Sequence, residues 1–258
     1  MAWRIRTDRL PMRFPSRYQC LSILIELGLP AETIIDVGVH EETPDLIELF
    51  PAKKHVLIEP EVAHADAIAR NYCNIDYVLH QVAASSLDRS AHLTSERNDS
   101  AESVTHSHIC TGGDGVIIDC RTLDSLLAEY AAEAPFLLKI DTDGHEPDVL
   151  KGARHTLSSC AVVVIEIAPQ ALADISTALD DAGLQLFDIV DLCYYHDTLT
   201  QFDGVFINRT LFNNDGLFPW DHQSFRWSDW KALMSGSDRR RHLWRRLRGR
   251  VRRPANQG

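Results

Sequence analysis

Two apolar runs, each closed by a polar turn, constrain this chain most: Thr33-Ile-Ile-Asp-Val-Gly-Val39 and His55-Val-Leu-Ile-Glu-Pro60. Short β-branched and aliphatic stretches bounded by Gly or Pro read as buried strands. Between them Thr43 offers a helix cap, and Pro44 follows with a φ already suited to the first helical turn. Strand, glycine turn, helix and strand make the nucleotide half-site of a doubly wound α/β sheet. Glu59 lies 21 residues after Gly38, at the second strand's tip, where a carboxylate accepts hydrogen bonds from a ribose diol.

The alternation continues along the chain. The pattern predicts helices over about 17–27, 44–50, 60–72, from Thr122, from Pro147 to about Leu157, and over 169–182. It predicts strands over about 33–37, 55–59, 75–83, 116–120, 136–141, 161–167, 184–190 and 202–208. Ala161 to Ile167 is almost wholly apolar, as the centre of a sheet covered on both faces requires. Residues 85–114 carry many Ser, Asp, Asn and Gly and read as a surface excursion with a mobile loop and one strand near 90–95. An aromatic-rich stretch from Trp220 to Trp230 follows the last strand. The expected division is an N-terminal arm and helix over 1–30, a main domain over 31–210, an extension over 211–238 and a flexible basic tail over 239–258.

A chain of 258 residues with 45% hydrophobic and 24% charged composition can bury one substantial α/β core. Six cysteines without a C-x-x-C pair suit free, buried thiols in a reducing compartment, so a cytoplasmic location is expected. No apolar run reaches the roughly 18 residues that span a bilayer, and the arginine-studded start lacks the apolar core of a signal peptide. Net charge is −11 even though residues 239–253 hold nine arginines and no acid, so the body is strongly acidic and nucleic acid is not an expected partner. In the tail Leu243, Trp244, Leu247 and Val251 interleave with those arginines. Arg239 to Arg253 therefore reads first as a solvated, flexible end, with peripheral contact with an anionic membrane as the alternative. Oligomeric state is left open by the sequence.

Open α/β sheets bind ligands at the carboxyl ends of their strands. Asp36, Glu59, Ala83, Asp141 and Glu166 all fall at such ends. A nicotinamide-dependent oxidoreductase needs G-x-G-x-x-G after the first strand, whereas the turn here, Gly38-Val-His-Glu-Glu-Thr43, has a single glycine. A cofactor without pyrophosphate makes less demand for glycines, and S-adenosylmethionine meets that condition. Metal binding is not expected: Asp141 and Asp143 have no clear third ligand in sequence, and Thr105-His-Ser-His-Ile-Cys110 lacks a recognised pairing elsewhere.

Asp36-Val-Gly38, Leu57-Ile-Glu-Pro60, Arg121-Thr-Leu-Asp-Ser-Leu126, Leu138-Lys-Ile-Asp-Thr-Asp-Gly-His-Glu146, Val149-Leu-Lys-Gly152 and Val164-Ile-Glu166 together resemble the FkbM family of S-adenosylmethionine-dependent methyltransferases. The match runs in order over roughly residues 33–168, and its most specific part is K-I-D-x-x-G-x-E followed by L-K-G. The resemblance implies a class I methyltransferase fold: a Rossmann-like, doubly wound, mostly parallel seven-stranded sheet ending in an antiparallel hairpin. It implies that Asp36 and Gly38 form the first cofactor motif and that Glu59 is the ribose-binding acid, with Ala83 on the same edge. It also implies O-methylation of a hydroxyl on a small molecule, sugar or glycan. Asp141 and His145 are the expected catalytic residues, because a carboxylate beside an imidazole can take a hydroxyl proton near neutral pH. The chain departs from the family at Glu42, where a second glycine is usual. A like charge 4 Å from the cofactor's carboxylate costs ~1 kcal/mol in water and ~4 kcal/mol at an effective dielectric of 20. The rival reading is thus an inactive scaffold of the same fold.

Overall fold

Runs of Ile, Val and Leu with no polar face must be covered on both sides, and the protein, described from a computed structural model, uses them in that way. The described residues are 14–97, 104–110, 115–221, 224 and 226. Residues 15–221 form one compact unit. Its strands are β1 (Thr33–Val37), β2 (Lys54–Ile58), β3 (Tyr77–His80), β4 (Ala83–Ala84), β5 (Arg89–Arg97), β6 (Val104–Cys110), β7 (Val116–Arg121), β8 (Phe136–Ile140), β9 (Cys160–Ile167), β10 (Leu184–Tyr195) and β11 (Thr198–Asn208). Its α-helices are α1 (Arg17–Glu26), α2 (Pro44–Leu49), α3 (Ala65–Asn71), α4 (Leu123–Tyr130), α5 (Glu146–Lys151), α6 (Arg154–Ser158) and α7 (Leu172–Asp181).

Seven strands form the main sheet in the order β10-β11-β9-β8-β1-β2-β3. The pairs from β9 to β3 are parallel, and β11 runs antiparallel to both β9 and β10. This is the class I methyltransferase arrangement that the motifs imply. Every residue of β1 and β8 is buried. One face packs Leu21 and Leu24 of α1 and Leu46 of α2 on Ile34, Leu137 and Val162. The other packs α4 to α7 on Ile35, Leu138 and Val163. The centre of the sheet is therefore shielded on both sides, and its polar groups emerge only at the ends.

Four expectations need correction. The strand expected over 75–83 breaks after His80, and Ala83–Ala84 joins a second, four-stranded sheet ordered β4-β7-β5-β6. Arg89–Arg97 and Val104–Cys110 are strands, and Ala91 and Leu93 of β5 bury with Ile118 and Cys120 of β7 in a small core of their own. The loop expected in that excursion falls in part on 98–103 and 111–114, outside the described residues. The helix expected to run from Pro147 to Leu157 is two helices, broken at Gly152–Ala153, and position 152 must be glycine because a Cβ there would stand 2.0 Å from the Ser85 carbonyl oxygen. All six thiols are free, but only Cys20, Cys120 and Cys160 are buried. Among the described residues no helix is long and apolar enough to cross a membrane. The basic tail from Arg239 and most of Trp220 to Trp230 lie outside them.

Candidate active site

The loops leaving β1 and β8 touch because Gly38 has no side chain. Its φ is +76°, and a Cβ on it would lie 1.7 Å from the Asp141 carbonyl oxygen. The β8 exit loop is held by its own motif. Asp143 and Gly144 take positive φ values of 51° and 96°, which turn the chain back on itself. The buried Glu146 carboxylate then accepts hydrogen bonds from Thr142 N (2.9 Å), Thr142 Oγ1 (3.1 Å) and Gly144 N (3.1 Å) through one oxygen. The D-T-D-G-H-E sequence is thus a loop whose last residue fastens its first half.

Under these loops lies a buried ion pair. Strand register sets Asp36 directly beside Lys139, so both side chains leave the same face of the sheet. Asp36 is 0% exposed and Lys139 3%. The Lys139 Nζ stands 3.2 Å from Asp36 Oδ1 and 3.5 Å from Asp141 Oδ2, and donates to the Gly38 carbonyl at 2.7 Å. Burial alone would lower the Lys139 pKa, but Asp36 and Asp141 raise it above its ordinary value, so the ammonium stays charged. From α3's end the Tyr72 hydroxyl donates to Asp36 Oδ2 (3.3 Å) and accepts from Thr43 N (3.2 Å). Burial, then Asp36, push the Tyr72 pKa far upward.

Above the pair opens a cavity of about 190 Å³, lined among others by Gly38, Glu59, Ala83, Asp141 and His145. Five of the six site residues read from the sequence therefore share one cavity. The sixth, Asp36, lies beneath it, and its carboxylate acts on the loop through Lys139 and Tyr72. Glu59 is 7% exposed; its Oε2 accepts from His40 N (2.8 Å) and its Oε1 from Glu61 N (2.9 Å). Burial raises its pKa, with those two N–H groups and His40 acting against the rise. Also on the cavity wall, His145 Nε2 is 3.0 Å from the buried Ser85 Oγ, and its Nδ1 is 3.7 Å from Asp148. Burial lowers the His145 pKa, so its imidazole is neutral at pH 7.

The cavity's roof comes from the 85–114 excursion, though as strands rather than as the loop expected to cover a site. Leu93 of β5 and Ser107 and Ile109 of β6 line it from the second sheet. Ser107 N donates to Asp143 Oδ2 (3.1 Å) and Ser107 Oγ to Glu61 Oε2 (3.4 Å), which straps that sheet to both loops. A polar, histidine-rich strand of a partner sheet carries no periodic apolar signal by which it would be found. Glu166 was visible as a strand-end acid, but its setting was not. Burial and then Asp141, Glu146, Asp143 and Asp203 push its pKa up to about 8. Asp203 is pushed up to about 6 by burial, with Arg17 pulling the other way.

The sequence matches the model of the methyltransferase FkbM domain over residues 36–192. The chain belongs to the FkbM methyltransferase family. The methyl donor of that family is S-adenosylmethionine. Similar solved structures include the methyltransferase FkbM of Methylobacillus flagellatus, at 18% identity and a TM-score of 0.48, over 68% of this chain and 43% of that one. The chain thus aligns with under half the length of that protein. The METTL16 methyltransferase domain aligns at 12% identity and a TM-score of 0.43, over 78% and 70% of the two chains. The magnesium protoporphyrin IX methyltransferase of Synechocystis, solved with bound S-adenosylmethionine, gives 14% and 0.41, over 74% and 79%. No curated protein matches the sequence.

The charge of this cavity suits a cation. Glu59, Asp141 and Asp143 line the cavity, so a sulfonium or ammonium is attracted where a pyrophosphate would be repelled. Glu42 is exposed and is absent from the cavity wall, where solvent screens its charge.

Proposed function

We propose that this FkbM methyltransferase transfers a methyl group from S-adenosylmethionine to a hydroxyl of a small molecule, sugar or glycan. The observation that carries the reading is Glu59: a carboxylate on the cavity wall, oriented by two backbone N–H groups and set to accept a ribose diol. Gly38 and Asp141 would border the amino-acid end of the cofactor, and Ala83, Leu93 and Ile109 would give the base an apolar bed. Asp36 would serve from below by fixing Lys139 and hence the Gly38 carbonyl.

Bound S-adenosylmethionine supplies an electrophilic methyl group, and methyl transfer asks the protein chiefly for alignment and the exclusion of water. The strapped roof of Leu93, Ser107 and Ile109 would exclude water. As the acceptor oxygen gains the methyl, its proton must leave. Asp141, whose side chain is 42% exposed, would take it, with the neutral His145 imidazole as the second base in the same wall. Acceptor choice would rest on residues 85–114 and on the chain after 209.

Incubation with methyl-labelled S-adenosylmethionine and a panel of sugars, glycans and small alcohols tests the reading. Label is expected in an ether linkage, with turnover reduced roughly 100-fold or more in Asp141→Asn. Label on nitrogen or carbon, or full turnover in the variant, would overturn it.

A further inference from the structure

The loop after β1 and the turn after β2 bring together two histidines that stand 24 positions apart. His40 and His64 have ring centroids 4.0 Å apart. One donor atom each from His40, Glu41 and His64 lie within 4.8 Å of one another. A fourth donor is at hand, since Glu61 Oε2 is 3.5 Å from His64 Nε2. In a tetrahedral site with bonds of ~2.1 Å, donor atoms stand ~3.4 Å apart, which is nearly the His64–Glu61 spacing.

The backbone is set for this gathering. His40 takes a φ of +55°, a left-handed conformation that a residue other than glycine retains where surrounding contacts impose it. Here His40 N is bonded to Glu59, the Glu41 carbonyl accepts from Asn71 Nδ2 (3.1 Å), and Thr43 N is bonded to Tyr72. Three attachments within residues 40–43, to the residue after β2, to the last residue of α3 and to the residue after it, thus fix the segment that presents His40 and Glu41. His64 is 5% exposed, whereas His40 and Glu41 are exposed, so one side of the cluster is closed and the other open to entry from solvent.

We propose that His40, Glu41 and His64, with Glu61, form a binding site for a divalent transition-metal ion of the zinc type. Two imidazoles and carboxylate oxygens match zinc, cobalt or nickel; magnesium and calcium take oxygen-only sets. His40 also lines the cavity, so the ion would tie together the two loops that carry Gly38 and Glu59. The site stands whether or not S-adenosylmethionine binds, because metal uptake is read directly.

The test uses the full chain without an affinity tag, stripped with EDTA, desalted and titrated with Co²⁺. Visible d–d absorption and competition by Zn²⁺ are followed. One equivalent is expected to bind, and affinity is expected to fall at least about tenfold in His64→Gln and in His40→Gln. His155→Gln, exposed on α6, is expected to bind as the parent does. His40 is exposed, so its variant remains informative if loss of the buried His64 impairs folding. Failure of the parent to take up one equivalent, or equal affinity in the parent and His40→Gln, would overturn the proposal.

Discussion

Between β1 and β8 a buried lysine answers a buried aspartate, whereas at the neighbouring ends of β9 and β11 carboxylates face one another. On the first side Asp36, Lys139, Tyr72 and Glu59 have defined partners, and their hydrogen bonds reach into the loops above. On the second, Glu166 has Gln201 as a donor but Asp141, Glu146, Asp143 and Asp203 as charged neighbours. Arg17 supplies the positive charge there, at 3.0 Å from Asp203, and divides it with Asp45. The same sheet edge therefore holds a charge-paired half and an acidic half whose groups change protonation near neutral pH.

The sharpest way to break this comparison is Lys139→Met. It leaves Asp36 buried and without its counter-charge, and the expected loss is about 3–5 kcal/mol in urea denaturation. A loss under about 1 kcal/mol would show that the pair does not hold the first half together. Glu166→Gln sharpens the other side. The folded pKa of Glu166, about 8, lies above its ordinary 4.5, so its contribution is full below pH 4.5 and is lost as pH rises through 8. The variant stays neutral throughout. It should gain on the parent by about 2 kcal/mol between pH 5 and 9, once solvent screening of a partly exposed group is allowed for. Parallel stability curves over that range would contradict the acidic half as described. Tyr72→Phe is the mildest change, removing one hydrogen bond to Asp36 and one from Thr43 N. A loss of about 1–2 kcal/mol in thermal or urea melts is expected; no loss would mean that the Tyr72 hydroxyl adds nothing to the anchoring of the Gly38 loop.

Much of the first half was legible in the sequence. Glu59 and Asp141 close apolar runs, and a strand's end is where a polar side chain can face a ligand without breaking a core, whereas Asp36 falls inside its run and is buried beneath the cavity. Gly38 was visible for the same reason, although its contact with Asp141 joins residues 103 positions apart and needed the structure. Lys139 was read as part of a motif, yet nothing in a single lysine within Phe136–Ile140 tells that its partner is the adjacent strand's aspartate. That follows from register. The roof and the His40–His64 pair were hidden for a further reason. The roof strand β6 is polar, and His64 lies in a 3-10 turn, Val62–His64, at the start of what reads as one helix over 60–72. Short turns carry no periodicity.

Glu59 is expected to hold the cofactor in the charge-paired half. Calorimetric titration of S-adenosylhomocysteine into the full chain and into Glu59→Ala tests it directly. Saturable one-to-one binding to the parent is expected, with a loss of roughly tenfold to a hundredfold or more in the variant, the worth of a hydrogen bond to a charged group. No binding to the parent, or equal binding to both, would contradict it.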